Sequence, residues 1–148
     1  MASPVVSRQI WGALPPKKSF TRNIPIEYVY NGITRSPPCS NFQQCQHILQ
    51  SIQTSHMAVA PDIRYNFLIG SDMLIYEGRG WFVQPGLSSD YWAQKKKALY
   101  IGYIGSFGLD LPEGPKIPGG MVELANNLVL YGLENGYIRQ NFERVDLF

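Results

Sequence analysis

The stretch Tyr65-Asn66-Phe67-Leu68-Ile69-Gly70-Ser71-Asp72 decides the fold of this chain. A short aromatic and aliphatic run ends at a Gly-Ser-Asp turn signal, and the apolar run Met73–Glu77 follows. Two such runs around a tight turn predict a β-hairpin with strands at Asn66–Ile69 and Met73–Glu77. Gly78-Arg79-Gly80-Trp81 then requires a sharp backbone turn beside a large ring.

Two further strands are expected on either side of the hairpin. Ile24–Tyr30 is rich in β-branched and aromatic residues and is entered through a proline. Leu99–Ile104 has the apolar character of a buried strand, and Gly102 within it indicates a close backbone approach.

Two helices are expected between these strands and after them. Ser40 to about Ser55 has apolar residues at helical spacing, and Ser40 with Gln43 fits a capping box. The stripe consists of Phe42, Cys45, Ile48, Leu49 and Ile52. Gly120–Asn135 is the second helix, with Gly136 at its C′ position. Strands and helices together predict the α/β class, with a central sheet flanked by helices in one domain, residues 1–148.

Composition excludes several classes of protein. The 148 residues are 45% hydrophobic and 16% charged, which suits a packed core and not a disordered chain. A net charge of +2 with scattered basic residues predicts no nucleic-acid partner. No apolar run approaches the ~20 residues of a membrane span, so a membrane is expected to be reached only through a segment outside this chain. No signal peptide is visible.

The two cysteines, Cys39 and Cys45, are spaced too widely for a redox C-x-x-C motif. No histidine or second cysteine pair completes a zinc finger. The spacing alone leaves two possibilities open, a pair of buried thiols or a local disulfide that clamps the entry to the first helix. A disulfide would indicate an oxidising, extracellular compartment.

Several motifs, in order along nearly the whole chain, resemble the peptidoglycan recognition proteins, animal relatives of zinc-dependent N-acetylmuramoyl-L-alanine amidases. These are Val6-Ser7-Arg8-Gln9-Ile10-Trp11-Gly12-Ala13, Ile26-Glu27-Tyr28-Val29, Cys39 with Cys45, His56-Met57, Asp62-Ile63, Tyr65 to Gly70, and Gly136-Tyr137-Ile138. The resemblance implies a mixed sheet with helices on its faces, a groove for muropeptide on one face, and a Cys39–Cys45 disulfide. It also matches Tyr65 to the family's catalytic tyrosine, although a tyrosine at a strand start is common for structural reasons.

The positions where this family holds zinc carry no ligands here. Catalytic members use two histidines and a cysteine, and zinc chemistry needs all three plus an open site. The resemblance places Gly32 at the first histidine and Leu147 at the second, and the cysteine would lie beyond Phe148. Leu87 takes the place of a further family histidine. We therefore expect no metal, no cofactor, no catalytic residue and no enzyme activity.

The presumed groove also departs from the family pattern. Ala58–Pro61 is about two residues shorter than usual and lacks the residue pairs that discriminate peptidoglycan types. Arg64 replaces a glycine, where its bulk would block the cleft or its charge would bind an anion, and blocking is favoured. About three residues are gained around Trp92–Lys97. The candidate groove or partner contacts are His56, Arg64, Tyr65, Trp81, Phe82, Leu87, Tyr91 and Trp92.

The resemblance therefore implies a non-catalytic, receptor-type domain of innate immunity. It is similar to membrane-bound insect regulators that bind peptidoglycan poorly and restrain signalling by other receptors. The expected partner is another peptidoglycan-recognition receptor domain, with peptidoglycan fragments bound weakly or not at all. The alternative is a receptor that binds muropeptide without cutting it. Either would lie outside the cell, as a secreted protein or an ectodomain.

Overall fold

A six-stranded sheet with a long helix on each face is built by the residues that the computed structural model describes, 4–88 and 94–148. The elements in chain order are β1 (Val5–Val6), α1 (Arg8–Trp11), β2 (Ile26–Ile33), α2 (Phe42–His56), β3 (Phe67–Ile69), β4 (Ile75–Glu77), β5 (Ala98–Tyr103), α3 (Gly119–Glu134) and β6 (Ile138–Asp146).

The sheet is mixed, as the sequence predicts. Its strand order is β1-β4-β3-β5-β2-β6. Only the β3–β4 hairpin is antiparallel, and the other neighbours run parallel. The register sets Gly32 of β2 beside Gly102 of β5. Because glycine has no side chain, this pair leaves space above the sheet that neighbouring side chains can occupy.

The hairpin turn forms where the sequence places it. Leu68 pairs with Tyr76, and the Met73 N–H donates to the Gly70 carbonyl at 3.0 Å. The strands are shorter than expected because the turn takes up more of the second run. Gly78 is required after the hairpin, since a Cβ there would collide with the Tyr65 carbonyl oxygen. Strand β2, by contrast, runs on past Tyr30 to Ile33.

Alternation along the strands divides the core between the two helices. Val29, Leu99 and Ile101 point to one face, where they pack with Met121, Ala125 and Leu128 of α3. Leu68 and Tyr76 point to the other face and meet Leu49 and Ile52 of α2. The predicted stripe of the first helix is therefore its buried face, although Phe42 and Ile48 are only partly covered. The stripe predicted for the second helix is Met121, Leu124, Ala125, Leu128 and Tyr131, and of these Leu124 is partly covered and Tyr131 is exposed.

Both helix boundaries fall close to those expected. The N-cap of α2 is Asn41, whose side chain accepts from the Gln44 N–H at 2.9 Å, so the predicted Ser40–Gln43 box is wrong by one residue. Asparagine caps a helix at least as well as serine. The Gln44 side chain accepts a hydrogen bond from the Ser40 N–H at 3.0 Å. Gly136 follows α3 with φ of +73°, the left-handed conformation predicted for its C′ position.

The disulfide between Cys39 and Cys45 is present, with both cysteines fully buried and the Cα atoms 4.9 Å apart. It joins the segment before α2 to the first turn of that helix. Of the two possibilities that the spacing left open, the local disulfide is the one formed, and neither cysteine is free.

The opening motif forms an anchor for the segment after α2. The Arg8 guanidinium donates to both oxygens of Asp62, at 2.8 and 3.1 Å, and to the Gly78 carbonyl at 2.7 Å. The Trp11 indole N–H donates to the Glu77 carbonyl at 2.8 Å. Asp62 is buried and so needs such partners. The anchor fixes the chain from Asp62 to Tyr65, which carries the candidate site.

The two outer strands of the sheet, β1 and β6, were not predicted, and the neighbour of Gly102 was misread. Strand β6 has no continuous apolar run, since it is an edge strand with mostly exposed, charged residues. Residue 102 must indeed be small, but its close neighbour is not backbone. A Cβ at Gly102 would lie 2.6 Å from the Tyr65 ring, so the glycine makes room for that ring.

Candidate functional site

Two adjoining cavities mark the presumed groove, on the sheet face that α2 partly covers. The inner cavity, about 170 Å³, is lined by His56, Tyr65, Tyr100 and Leu147. The outer cavity, about 290 Å³, is lined by Phe20, Val59, Ala60, Pro61, Arg79 and Lys95. Both share Arg64, Gly86, Leu87 and Ser88. Four predicted contacts, His56, Arg64, Tyr65 and Leu87, therefore lie together.

The floor of the inner cavity is a pair of tyrosines. The ring centroids of Tyr65 and Tyr100 are 4.5 Å apart, and the Tyr65 hydroxyl lies 3.5 Å from the Ile33 carbonyl oxygen. Burial, and then the neighbouring Tyr100, raise the pKa of Tyr65 far above its ordinary value. The phenol therefore stays protonated at physiological pH, where it can donate a hydrogen bond but cannot act as a base.

Tyr100 also covers Gly32, the position matched to a zinc-binding histidine. A Cβ placed on Gly32 would lie 2.9 Å from both Cε1 and Oη of Tyr100. Contacts this short force a neighbouring group to move. A side chain on β2 could therefore occupy this space only if the Tyr100 ring moved away.

The other two matched positions are apolar. Leu87 belongs to a small cluster with Tyr30 and Ala98, against which Leu147 packs. Leucine offers no lone pair to a metal, so the residues present do not fit a catalytic zinc ion. No group of three histidine, cysteine, aspartate or glutamate side chains with metal-binding geometry occurs within residues 4–88 and 94–148.

His56 forms part of the wall of the inner cavity. Its Nδ1 accepts a hydrogen bond from the Arg64 backbone N–H at 3.0 Å, and its ring centroid is 5.9 Å from that of Tyr65. Burial, followed by the charges of Arg64 and Arg79, lowers the pKa of His56 to about 4, against an opposing effect of Asp62. The imidazole is therefore neutral at physiological pH and fixes the backbone at Arg64.

Arg64 lies between the two cavities. Its backbone is held on both sides, because its carbonyl accepts from the Gly86 N–H at 2.9 Å and its N–H donates to His56. Its side chain packs over Gly86, where an added Cβ would lie 2.8 Å from Arg64 Cγ. The side chain therefore forms part of the wall of both cavities, and its blocking of the groove stays a prediction.

The outer cavity carries positive charge. Arg64, Arg79 and Lys95 line it, and no acidic residue is among its described lining residues. Arg79 is only 8% exposed, and its guanidinium donates to the carbonyls of Ile63 at 2.6 Å, Gln84 at 2.9 Å and Asp62 at 3.4 Å. Its donors are thus largely used by the protein's own backbone.

Trp81 and Phe82, two aromatic residues among the predicted contacts, line neither groove cavity. Trp81 packs on the α3 side, with ring centroids 5.0 Å from Phe67 and 5.3 Å from Tyr137, and lines neither cavity. Phe82 is half exposed and meets Tyr137 edge-to-face at 5.1 Å. The remaining two candidates, Tyr91 and Trp92, lie outside the described residues.

Tyr100 is the site residue that sequence reasoning missed. Tyr100 and Gly102 are two residues apart along β5, so both lie on the same face of the sheet, as the strand prediction implies. What the sequence did not reveal is the register that brings this face over Gly32 of β2.

Comparison with known proteins gives consistent relatives, although no protein-family model matches the chain. Peptidoglycan recognition protein 1 of cattle is 34% identical over 141 residues, covering 94% of this chain and 70% of the relative. Peptidoglycan-recognition protein 2 of the beetle Holotrichia diomphalia is 36% identical over 118 residues, covering 78% of this chain and 62% of the relative.

Solved structures agree with these relatives. Bumblebee PGRP-SA superposes with a TM-score of 0.87 at 28% identity, over 98% of this chain and 83% of that one. The ectodomain of the Drosophila transmembrane receptor PGRP-LCa gives a TM-score of 0.83 at 29% identity, over 95% and 83%. A human PGRP domain in complex with a muramyl pentapeptide gives 0.85 at 29%, over 96% and 82%. Within the described residues of this chain, no helix has the length and apolar character needed to cross a bilayer.

Proposed function

The chain belongs to the peptidoglycan recognition protein family, and on that premise we propose that it is a non-catalytic innate-immunity domain that acts through a protein partner. Relatives of this family bind peptidoglycan fragments, as the human complex illustrates. In the proposed role, this domain binds such fragments weakly or not at all. It associates with the ectodomain of a peptidoglycan receptor and restrains signalling, as a secreted protein or as an ectodomain itself.

The observation that carries the proposal is the Tyr100 ring over Gly32. It fills the place from which β2 would present a histidine, while Leu87 and Leu147 supply only methyl groups. Muropeptide sites need a concave surface with a few placed donors and acceptors. Here the Tyr65 phenol is engaged with Tyr100 and the His56 Nδ1 with Arg64, so few polar groups remain for a ligand.

The second support is the division of the groove. Arg64 lines both cavities, of about 170 and 290 Å³, together with Gly86, Leu87 and Ser88. Each is at or below the lower end of the range for small-molecule sites, about 300 Å³. A disaccharide-peptide has to span several such subsites, so a side chain across the connection opposes its binding.

The alternative is a receptor that still binds muropeptide without cleaving it. The observation in its favour is the outer cavity, where three cations face a space without a described acidic residue. A peptide carboxylate would be attracted there. In this reading, Arg64 contributes to the ligand site and does not block it.

Association with a receptor domain tests the proposed role. The domain is mixed with a peptidoglycan-receptor ectodomain, with and without muropeptide, and sedimentation velocity measures complex formation. We expect a complex whose formation is weakened by Phe82→Ser, since exposed aromatic residues are the usual interface anchors. Leu111→Ser is the matched control, because Leu111 is as exposed, at 51%, and lines none of the described cavities. Failure to bind any receptor ectodomain, together with cleavage of muropeptide when zinc is supplied, would contradict the proposal.

A further inference from the structure

A third cavity, of about 350 Å³, opens at the N-terminal ends of β2 and β5. Its lining includes Arg22 and Glu27 from the β2 side, Gln84, and Lys96 and Lys97 just before β5. It shares no lining residue with the inner or outer cavity. This cavity is therefore separate from the two cavities of the muropeptide groove.

Arg22 is the unusual residue of this cavity. It is 8% exposed, its backbone N–H donates to the Phe82 carbonyl at 3.2 Å, and its Nε donates to the Trp81 carbonyl at 2.8 Å. Both terminal guanidinium nitrogens are buried and have no hydrogen-bond partner among residues 4–88 and 94–148. Buried polar groups are nearly always paired, and an unpaired buried charge is among the most costly defects in a fold.

The charges around Arg22 do not compensate it. Burial lowers the pKa of Arg22 to about 10, so the guanidinium remains charged at physiological pH. Glu27 is the only carboxylate among the described lining residues, and it is already shared between Arg139, at 2.9 Å, and Lys97, at 3.5 Å. The described lining therefore holds three cations, Arg22, Lys96 and Lys97, and one carboxylate that is already paired.

Arg79 supplies the internal standard for a structural arginine in this chain. It is equally buried, at 8%, and it donates from all three guanidinium nitrogens to backbone carbonyls. Arg22 has the same burial and only one such bond. The difference is two terminal NH2 groups, which form the fork that pairs with two oxygens of a carboxylate or phosphate.

We propose that this cavity binds an oxyanion, a carboxylate or phosphate group on a small carrier, through the terminal nitrogens of Arg22. Lys96 and Lys97 are exposed at the mouth and add charge. The terminal nitrogens are shielded from solvent, so the anion enters as side chains at the mouth move aside. Its two oxygens then pair with the donors that the protein leaves unsatisfied.

Titration with inorganic phosphate and with acetate, at constant ionic strength set by chloride, tests this site. The guanidinium N–H resonances of Arg22, followed by ¹⁵N-edited NMR, report binding directly. Phosphate represents phosphate esters and acetate represents carboxylates, so the tighter of the two identifies the natural group. We expect one or both to shift these resonances with a saturable curve.

Variants separate the site from general charge attraction. Arg22→Met should weaken binding about tenfold or more, as expected for loss of a bidentate charged pair. The double variant Lys96→Met/Lys97→Met, at exposed positions that do not endanger folding, should weaken it about threefold. Lys116→Met, an exposed cation that lines none of the three cavities, should leave it unchanged. No saturable shift in the native chain with either anion, or equal binding after Arg22→Met, would overturn the proposal.

Discussion

Arg79, at the groove, and Arg22, in the third cavity, are equally buried, but of the two only Arg79 donates a hydrogen bond from every guanidinium nitrogen. Arg79 donates to three carbonyls, whereas Arg22 keeps two nitrogens without a partner. The contrast extends to their surroundings. At the groove, Tyr65 and His56 are also engaged internally, while the N-terminal edge of the strands retains unpaired charge. The polar groups at the groove are hydrogen-bonded within the protein and are not available to a ligand, whereas the terminal nitrogens of Arg22 are.

Arg79→Met is expected to have the largest effect on the unfolding free energy. It removes hydrogen bonds to the carbonyls of Asp62, Ile63 and Gln84 and leaves these oxygens buried without partners. Loss of a buried, hydrogen-bonded charge costs about 3–5 kcal/mol of unfolding free energy. Urea denaturation monitored by tryptophan fluorescence measures the change.

Arg22→Met is the matched control for that variant. It loses one carbonyl bond but also removes two unpaired donors, so the unfolding free energy should change by less than about 1 kcal/mol. If the two substitutions cost the same, Arg22 has partners as good as those of Arg79, and the contrast between the regions fails.

Removal of the disulfide should have the next largest effect. Cys39→Ala/Cys45→Ala opens a short loop and should lower the unfolding free energy by roughly 2 kcal/mol in the chain-entropy model. The reference is the native chain under the same oxidising conditions, and thermal unfolding followed by circular dichroism measures the shift. Neither cysteine lines a described cavity, so oxyanion binding should be unchanged in the folded variant. Equal stability with and without the bond would contradict this prediction.

The pH dependence of stability tests the environment of His56 in the groove wall. The pKa of His56 is about 4 in the folded chain and near 6.5 when unfolded, so the unfolded state takes up the proton first as the pH falls. Stability is therefore complete above pH 6.5 and decreases below it. Since the ring is only half buried, solvent screening reduces the effect to about 1 kcal/mol between pH 7 and pH 5.

His56→Gln should flatten this pH dependence, whereas His47→Gln, at an exposed position on α2, should leave it unchanged. Denaturation midpoints at pH 7, 6 and 5 give the comparison. A native chain whose stability does not fall over this range would contradict a lowered pKa of His56 in the folded chain.

The sequence predicts the framework of this domain better than its site. The hairpin, the two helix stripes and the role of Gly136 depend on local periodicity and turn chemistry, which a single sequence displays. Strand β6 was missed because an exposed edge strand carries no apolar run. The position of Tyr100 over Gly32 depends on the register between two strands that are far apart in the chain.

The same limit applies to the arginines. Arg22 lies among uncharged residues and Arg79 lies two residues after Glu77, but neither context reveals how the guanidinium is bonded. Their difference arises from tertiary contacts, since Arg79 reaches the carbonyls of Asp62, Ile63 and Gln84, whereas the Arg22 guanidinium reaches that of Trp81. Trp81 is a further example, because its motif predicts a turn but not that its ring packs toward α3.

Isothermal titration calorimetry of the intact domain with muropeptides tests the central claim most directly. Both diaminopimelate-type and lysine-type fragments are titrated into the native chain, with Arg64→Glu as the groove variant. Loss of one buried hydrogen bond costs about 1–3 kcal/mol, so loss of several takes a micromolar ligand to about millimolar or weaker. We predict no measurable binding at concentrations below about 1 mM for either fragment. Micromolar binding that Arg64→Glu abolishes would contradict the closed groove and establish a non-cleaving receptor.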